Sequence, residues 1–293
     1  MPNKTFDLSI IILNYNGQFW LKKLLPSIKK NYLNETEKEV EVIVVDNKST
    51  DNSVELLKKD FRWVHLVEAS ENGGFAKGNN LGILASNARY LMLLNSDTEF
   101  LKRDSNLDPL IDYMNAHSEI AVAGPRLELS DGQLDWAGHR GEPTPWASFC
   151  YFAKLEKLFP KLRLFAGYHL KYKNLQEIHS IAACSGAAML VRRSAQKKIG
   201  LLDENFFMYG EDLDWCKRFR DQGFQVIFYP FVTIIHHKYK SGIKSSNRKT
   251  SQITRKSFYE TMLQYYDKHY RQRYPNIVRW LIRFFIWVKT DAS

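Results

Sequence analysis

The sequence predicts an α/β fold built on a mostly parallel sheet flanked by helices, and three observations carry that expectation. Through the first hundred residues, apolar β-branched runs alternate with helical patterns. The runs are continuous, as strands covered on both faces require. Each run then breaks into Asn, Asp, Ser or Gly, the residues that end strands and open helices.

Taken in order, LSIIILN (8–14) reads as a strand and leads into a helical stretch from Phe19 to Lys30. VEVIVVDN (40–47) is the second strand; Asn52 then reads as an N-cap with Glu55 at N3, opening the helix ELLKKDF. WVHLVEA (63–69) is a third strand, followed by a glycine-rich turn and the helical GNNLGILASNAR (78–89). YLMLLNSD (90–97) closes the series. Residues from about 124 to 180 are less regular, with the proline-broken GEPTPWASFCYF and the basic KLFPKLRLFAGYHLKYK, and read as an insertion over the sheet. Regularity returns with IAACSGAAMLVRR (181–193) as a strand, EDLDWCKRFRDQ (211–222) as a helix stopped by Gly223, and QVIFYP (225–230) as a strand.

Composition narrows the function. With 44% hydrophobic residues the chain can build a core, and 42 basic against 32 acidic residues leave it at +10. That excess suits an anionic partner: nucleic acid, nucleotide phosphates or an acidic membrane surface. A nucleic-acid role has only the charge behind it, because the lysines are not interleaved with a recognition element. Cys150, Cys184 and Cys216 are isolated, so neither a disulfide framework nor a zinc site is expected, and a reducing cytosol fits. No apolar run reaches the ~20 residues that span a bilayer. A soluble or peripheral protein is the expectation.

Three strand ends are polar: Asn14-Tyr15-Asn16, Asp46-Asn47 and Asn95-Ser96-Asp97. Any one could be an ordinary turn, but ligands of open parallel sheets bind beyond the carboxyl ends of the strands. No G-x-G-x-x-G follows the first strand, and ENGGFAKGNN (71–80) lacks the Gly-Lys-Ser/Thr of a phosphate loop. It reads either as a tight strand-to-helix turn or as a place where backbone amides approach a ligand. Glu211, Asp212 and Asp214 stand at the mouth of a helix, where the dipole favours carboxylates but a general base would also fit. His236 and His237 follow a strand-like FVTII.

VVDNKSTDNS, ENGGFAKGNN, LLNSDT, CSGAAMLVRR, GLLDENFFMYGEDLDWCKRFRDQGF and the later Tyr229-Pro230 and His236-His237 resemble family 2 glycosyltransferases of the GT-A fold. The likeness is greatest to the bacterial rhamnosyltransferase-type enzymes of surface-polysaccharide assembly. It implies a GT-A, Rossmann-like domain over 1–240, with a nucleotide-binding half (1–123) and an acceptor and catalytic half (124–240). A basic loop and amphipathic C-terminal helices would follow over 241–293. Asn14, Tyr15, Asn16 and Asp46 would hold base and ribose, with Asp51 and Lys77 nearby. Asp97 matches the last carboxylate of the D-x-D motif, which binds a Mg or Mn ion bridging the donor diphosphate. Asn95 stands in the first position and offers a neutral oxygen. His236 matches a histidine that completes the metal or diphosphate site in some relatives. Asp212 matches the catalytic base, with Glu211 supporting the base or the acceptor.

The activity so implied is inverting transfer of a sugar from a dTDP- or UDP-sugar to a hydroxyl of a glycan or lipid-linked glycan, rhamnose first among the candidates. A diphosphate leaving group calls for a hard cation, and the acceptor hydroxyl for one base. Asp97 and Asp212 should then flank one pocket. A non-catalytic nucleotide- or glycan-binding module on the same scaffold is the alternative, favoured by Asn95 and opposed by the intact Glu211-Asp212. NIVRW (276–280) lacks the Gln of the processive Q-x-x-R-W, so one sugar or a few per acceptor is expected. Cytoplasmic location, with peripheral contact at the inner membrane face, fits this role. Two features bear on that contact: the acid-free 222–259, with Lys238, Lys240, Lys244, Arg248, Lys249, Arg255 and Lys256, and IVRWLIRFFIWV (277–288). The latter reads either as a helix buried against the domain or as an interfacial helix with Trp280 and Trp287 at headgroup level.

Overall fold

The computed structural model describes residues 5–238 and 248–290, with backbone alone at 248–256. Lys240 and Lys244 of the basic loop lie outside the described residues, as do the side chains of Arg248, Lys249, Arg255 and Lys256.

The first half is a β/α alternation. β1 (Phe6–Asn14) leads to α1 (Gln18–Ile28), which ends in a π-helical turn at Lys29–Leu33. β2 (Val40–Asp46), α2 (Ser53–Asp60), β3 (His65–Glu68), α3 (Gly74–Ala85) and β4 (Ala88–Asn95) follow. β5 (Thr98–Phe100), α4 (Asp108–Ala116) and β6 (Ile120–Leu129) come next, then α5 (Pro145–Phe152), α6 (Leu155–Leu158) and β7 (His179–Ser180). β8 (Ala188–Arg192), α7 (Arg193–Ile199), α8 (Glu211–Asp221) and β9 (Gln225–His236) complete the domain, and α9 (Arg248–His269) and α10 (Asn276–Thr290) form the C-terminal extension.

Among the described residues, one sheet of nine strands carries the fold, in the order β3-β2-β1-β4-β8-β6-β9-β5, with β7 beside β9. β3, β2, β1 and β4 are parallel, as are β6 and β9. β8 runs antiparallel between β4 and β6. Both faces are covered, which explains the unbroken apolar runs: Ile10, Ile12, Val44 and Leu94 belong to one core cluster. Ile11, Ile43, Val45 and Leu93 belong to the other. α1 buries Leu21, Leu24, Leu25 and Ile28 on the first face. α3 lies on the second, so close that a Cβ at Gly82 would overlap the Ile11 side chain.

Some boundaries moved. The strand expected over 181–193 is confined to 188–192, and QVIFYP continues through FVTII to His236 as one strand. α2 is opened by Asp51, whose carboxylate accepts the Ser53 amide (3.0 Å), whereas Asn52 makes no side-chain cap. The middle region is helical at α5 and α6 and contributes the edge strand β7. The extension packs through Tyr265 and Tyr266 of α9, and Tyr270 just past its end, onto Phe206, with Val278 and Ile282 of α10 against that cluster.

Candidate active site

The parallel register places Asn14 beside Asp46 at the carboxyl ends of β1 and β2. Asn14 Nδ2 donates to Asp46 Oδ1 (3.0 Å) and to Ser49 Oγ (3.2 Å), while Asp46 Oδ2 accepts the Ser49 amide (2.9 Å). Asn16, in the left-handed region at φ 52°, accepts the Thr50 amide at its Oδ1 (2.7 Å). Asp51 receives the Gln18 amide (3.0 Å) as well as that of Ser53. Asn14, Asn16, Asp46 and Asp51 thus form one network that welds the first two strand-end loops. Tyr15 is about half exposed at its rim. A Cβ at Gly17 would meet Asn14 Oδ1 and sit 3.2 Å from Ser96 Oγ, so this network abuts the β4 end as well.

Asn47 ties the glycine turn to it. Its Nδ2 donates to Asn72 Oδ1 (2.9 Å) and Gly74 O (3.0 Å), and its Oδ1 accepts the Gly73 amide (3.1 Å). Beside that turn opens a cleft of about 260 Å³ lined by Asn47, Glu68, Ser70, Gly73, Lys77 and Leu81. Lys77 pairs there with Glu71 (2.6 Å) at the surface.

Beyond β4 the Asn95-Ser96-Asp97 turn leads into β5, which pairs antiparallel with the end of β9, setting Thr98 opposite His236. This brings Asp97 and His236 together: His236 Nε2 lies 3.3 Å from Asp97 Oδ1. The other ring nitrogen donates to Asp135 (2.8 Å), which also holds Lys238 (2.8 Å). Burial opposes charge on this imidazole, but Asp135 and Asp97 outweigh it and push its pKa up to about 9. The Asp135 carboxyl is buried as well, yet the His236 and Lys238 bonds hold it well below the usual range. Among the described residues, no cluster of three or more His, Cys, Asp or Glu could hold a metal ion. The Asp97 carboxylate is one ready oxygen donor, and His236 would become a second only on losing its Nε2 proton. The pair would suit a hard cation whose remaining positions are filled by phosphate oxygens and water, not one caged by protein alone.

The third element is the mouth of α8. Tyr209 (φ 70°) and Gly210 (φ 78°) are both left-handed, which turns the chain sharply into Glu211 and Asp212. Asp212 Oδ2 accepts from Arg140 Nη2 (2.6 Å) and from the Gly186 amide (3.3 Å). The next residue, Ala187, accepts the Asn95 amide (3.0 Å). Consecutive residues before β8 therefore hold Asp212 and the Asn-Ser-Asp turn, and the two sites share one end of the sheet. Burial, reinforced by the Asp212 charge, pushes Glu211 up to about 8, and its Oε2 has no hydrogen-bond partner. Burial disfavours the Arg140 cation, but Asp212 holds it charged. Arg140 escaped the sequence reading, since nothing in the spacing links residues 72 positions apart in the irregular region. Asp135 escaped it for the same reason.

The family model for glycosyl transferase family 2 matches residues 9–200. The chain is a family 2 glycosyltransferase. Its relatives include the low-salt glycan biosynthesis hexosyltransferase Agl10 of Haloferax volcanii, 27% identical over 79% of this glycosyltransferase and 67% of that protein. The N-acetylglucosaminyl-diphospho-decaprenol L-rhamnosyltransferase of Mycobacterium tuberculosis is 26% identical over 79% and 76%. Among solved structures, S. aureus TarS superposes with a TM-score of 0.58 at 15% identity, covering 97% of this chain and 43% of TarS. The Pyrobaculum calidifontis mannosyltransferase PcManGT, solved with GDP-Man and Mn2+, gives 0.57 at 14% identity over 98% and 71%. These likenesses establish the GT-A fold of the glycosyltransferase, and its relatives include enzymes named as a hexosyltransferase and a rhamnosyltransferase.

Proposed function

We propose that the enzyme transfers one sugar, with inversion, from a nucleoside diphosphate sugar to a hydroxyl of a lipid-diphosphate-linked glycan at the cytoplasmic membrane face. The observation that carries this reading is the shared anchorage of Asp212 and the Asn95–Asp97 turn on Gly186 and Ala187. Residues 1–123 supply the donor-binding half. Asn14, Tyr15, Asn16, Asp46 and Asp51 face base and ribose, with Lys77 in the adjoining cleft. Residues 124–240 supply Asp212 and the acceptor side. Rhamnose carried by dTDP is the preferred donor, because two relatives are rhamnosyltransferases by name; UDP-sugars are the alternative.

In the reaction the acceptor oxygen bonds to the anomeric carbon as the bond to the diphosphate breaks, and the hydroxyl proton passes to Asp212. Asp97 and His236 would hold a Mg or Mn ion, whose charge would offset that of the departing diphosphate. Asn95 orients a water or phosphate oxygen there. Glu211, kept neutral by burial, can donate to the acceptor without repelling Asp212.

One observation favours the second reading, a binding module without catalysis: Arg140 occupies Asp212 Oδ2. A screen of dTDP-, UDP- and GDP-sugars for donor hydrolysis and transfer, with calorimetry of the free nucleotides, separates the two. Transfer that disappears in Asp212→Asn, at least 100-fold down with nucleotide affinity kept, supports the enzyme. Nucleotide binding with no turnover of any donor by the wild type supports the module.

A further inference from the structure

Among the described residues, two stretches hold most of the exposed large apolar side chains. One is α10, where Ile277, Trp280, Leu281, Phe284, Trp287 and Val288 are exposed. Their spacing at three and four residues makes one stripe along the helix. The stripe is continuous: Trp280 stacks on Phe284 at 5.8 Å and Phe284 lies 6.0 Å from Trp287. Its opposite edge, Val278 and Ile282, packs on the α9 tyrosines, so the helix is seated and its outer face is left uncovered.

The second stretch is the α5–α6 region, where Trp146, Phe149, Leu158, Phe159, Leu162 and Leu164 are exposed. The two stretches adjoin. Phe152, one turn from Phe149, lies 4.8 Å from Phe285, one turn from Leu281, and Tyr259 contacts both rings. Charge has one sign across them. Exposed Lys154, Lys157, Lys161 and Arg163 punctuate the first stretch, and its single acid, Glu156, is buried against His169 and Lys171. Residues 270–290 contain no acid, and Arg271, Arg273 and Arg283 are exposed.

We infer that this surface docks on an anionic phospholipid bilayer, with α10 lying in the headgroup layer and the α5–α6 region beside it. Tryptophans beside aliphatic side chains suit the water–hydrocarbon boundary, and surrounding Lys and Arg reach phosphates. Among the described residues no helix is long and apolar enough to cross a membrane, so this contact lies on the bilayer. Self-association through the same face would set like charges against each other, which disfavours a second copy as occupant.

The test is co-sedimentation of the full chain with phosphatidylcholine vesicles, with and without added phosphatidylglycerol, at low and high salt. The expected result is roughly tenfold stronger partition into the anionic vesicles, weakened by salt, with a blue shift of tryptophan emission. Trp280→Ser with Trp287→Ser, and separately Leu158→Ser with Leu162→Ser, should each reduce partition about tenfold while leaving the melting temperature unchanged, since all four side chains are exposed. Equal partition into both vesicles, partition untouched by either variant, or a dimer in light scattering that these variants dissolve would each overturn the inference. No sugar donor enters the measurement, so its failure leaves the transferase reading standing.

Discussion

Glu211 has a fully desolvated carboxyl whose Oε2 meets no donor, beside the charged Asp212. Its pKa rises from 4.5 to about 8, so the folded protein keeps a proton that the unfolded chain loses first. The stability linked to this proton is complete below about pH 4.5, declines as pH rises toward 8 and stays low above it. Glu211→Gln, which cannot ionise, should flatten that part of the pH–stability curve and melt higher than the wild type at pH 8. An unchanged slope in calorimetry would refute the assignment. At this scale legibility followed strand ends. Asp97 and His236 were readable as separate candidates because each terminates an apolar run, and only the family resemblance implied that they share a site. Arg140 and Asp135 sit in irregular chain, and only folding reveals their partners.

Among the elements, α3 is fitted to the sheet by glycine. At Gly82 a side chain would collide with Ile11 and stand 3.1 Å from Val45. Gly82→Leu should therefore cost about 2 kcal/mol despite its better helix propensity, read as a lower urea midpoint at constant slope. Gly82→Ala tests the same point with a single methyl and should also lose stability. Continuous apolar runs disclosed the two-faced burial of β1, β2 and β4, because burial is what such runs encode. They carry no direction, which is why the reversal of β8 between β4 and β6 could not be read from them. β5 has three residues, too few for any period, yet its pairing with β9 is what delivers Asp97 to His236.

Across the whole molecule the C-terminal extension is part of the structure that steadies the site. The sequence left α10 between a buried helix and an interfacial one. It is seated on one edge only, with Val278 and Ile282 turned to α9 and the tryptophan stripe turned outward. No local pattern distinguishes these edges, since both are apolar. Tyr270 donates to Glu142, which Arg220 of α8 also engages, so the extension, the middle region and α8 meet at one carboxylate.

Asp214, one turn into α8, receives Lys268 (2.7 Å) and His269 (2.8 Å) from the end of α9 and Arg218 (2.8 Å) from its own helix. Burial alone would raise its pKa, but these partners hold it down at about 2. If α9 lifts away, a buried carboxylate loses two of its three side-chain partners. The two helices should thus open together in hydrogen exchange, their amides sharing one protection free energy in native-state experiments. Lys268→Met with His269→Leu should speed exchange in α8 as well as α9, and acceleration confined to α9 would show the two to be independent. The last helices would then act as a mechanical brace whose loosening is felt first at Asp214, in the opening turn of the helix that carries Asp212.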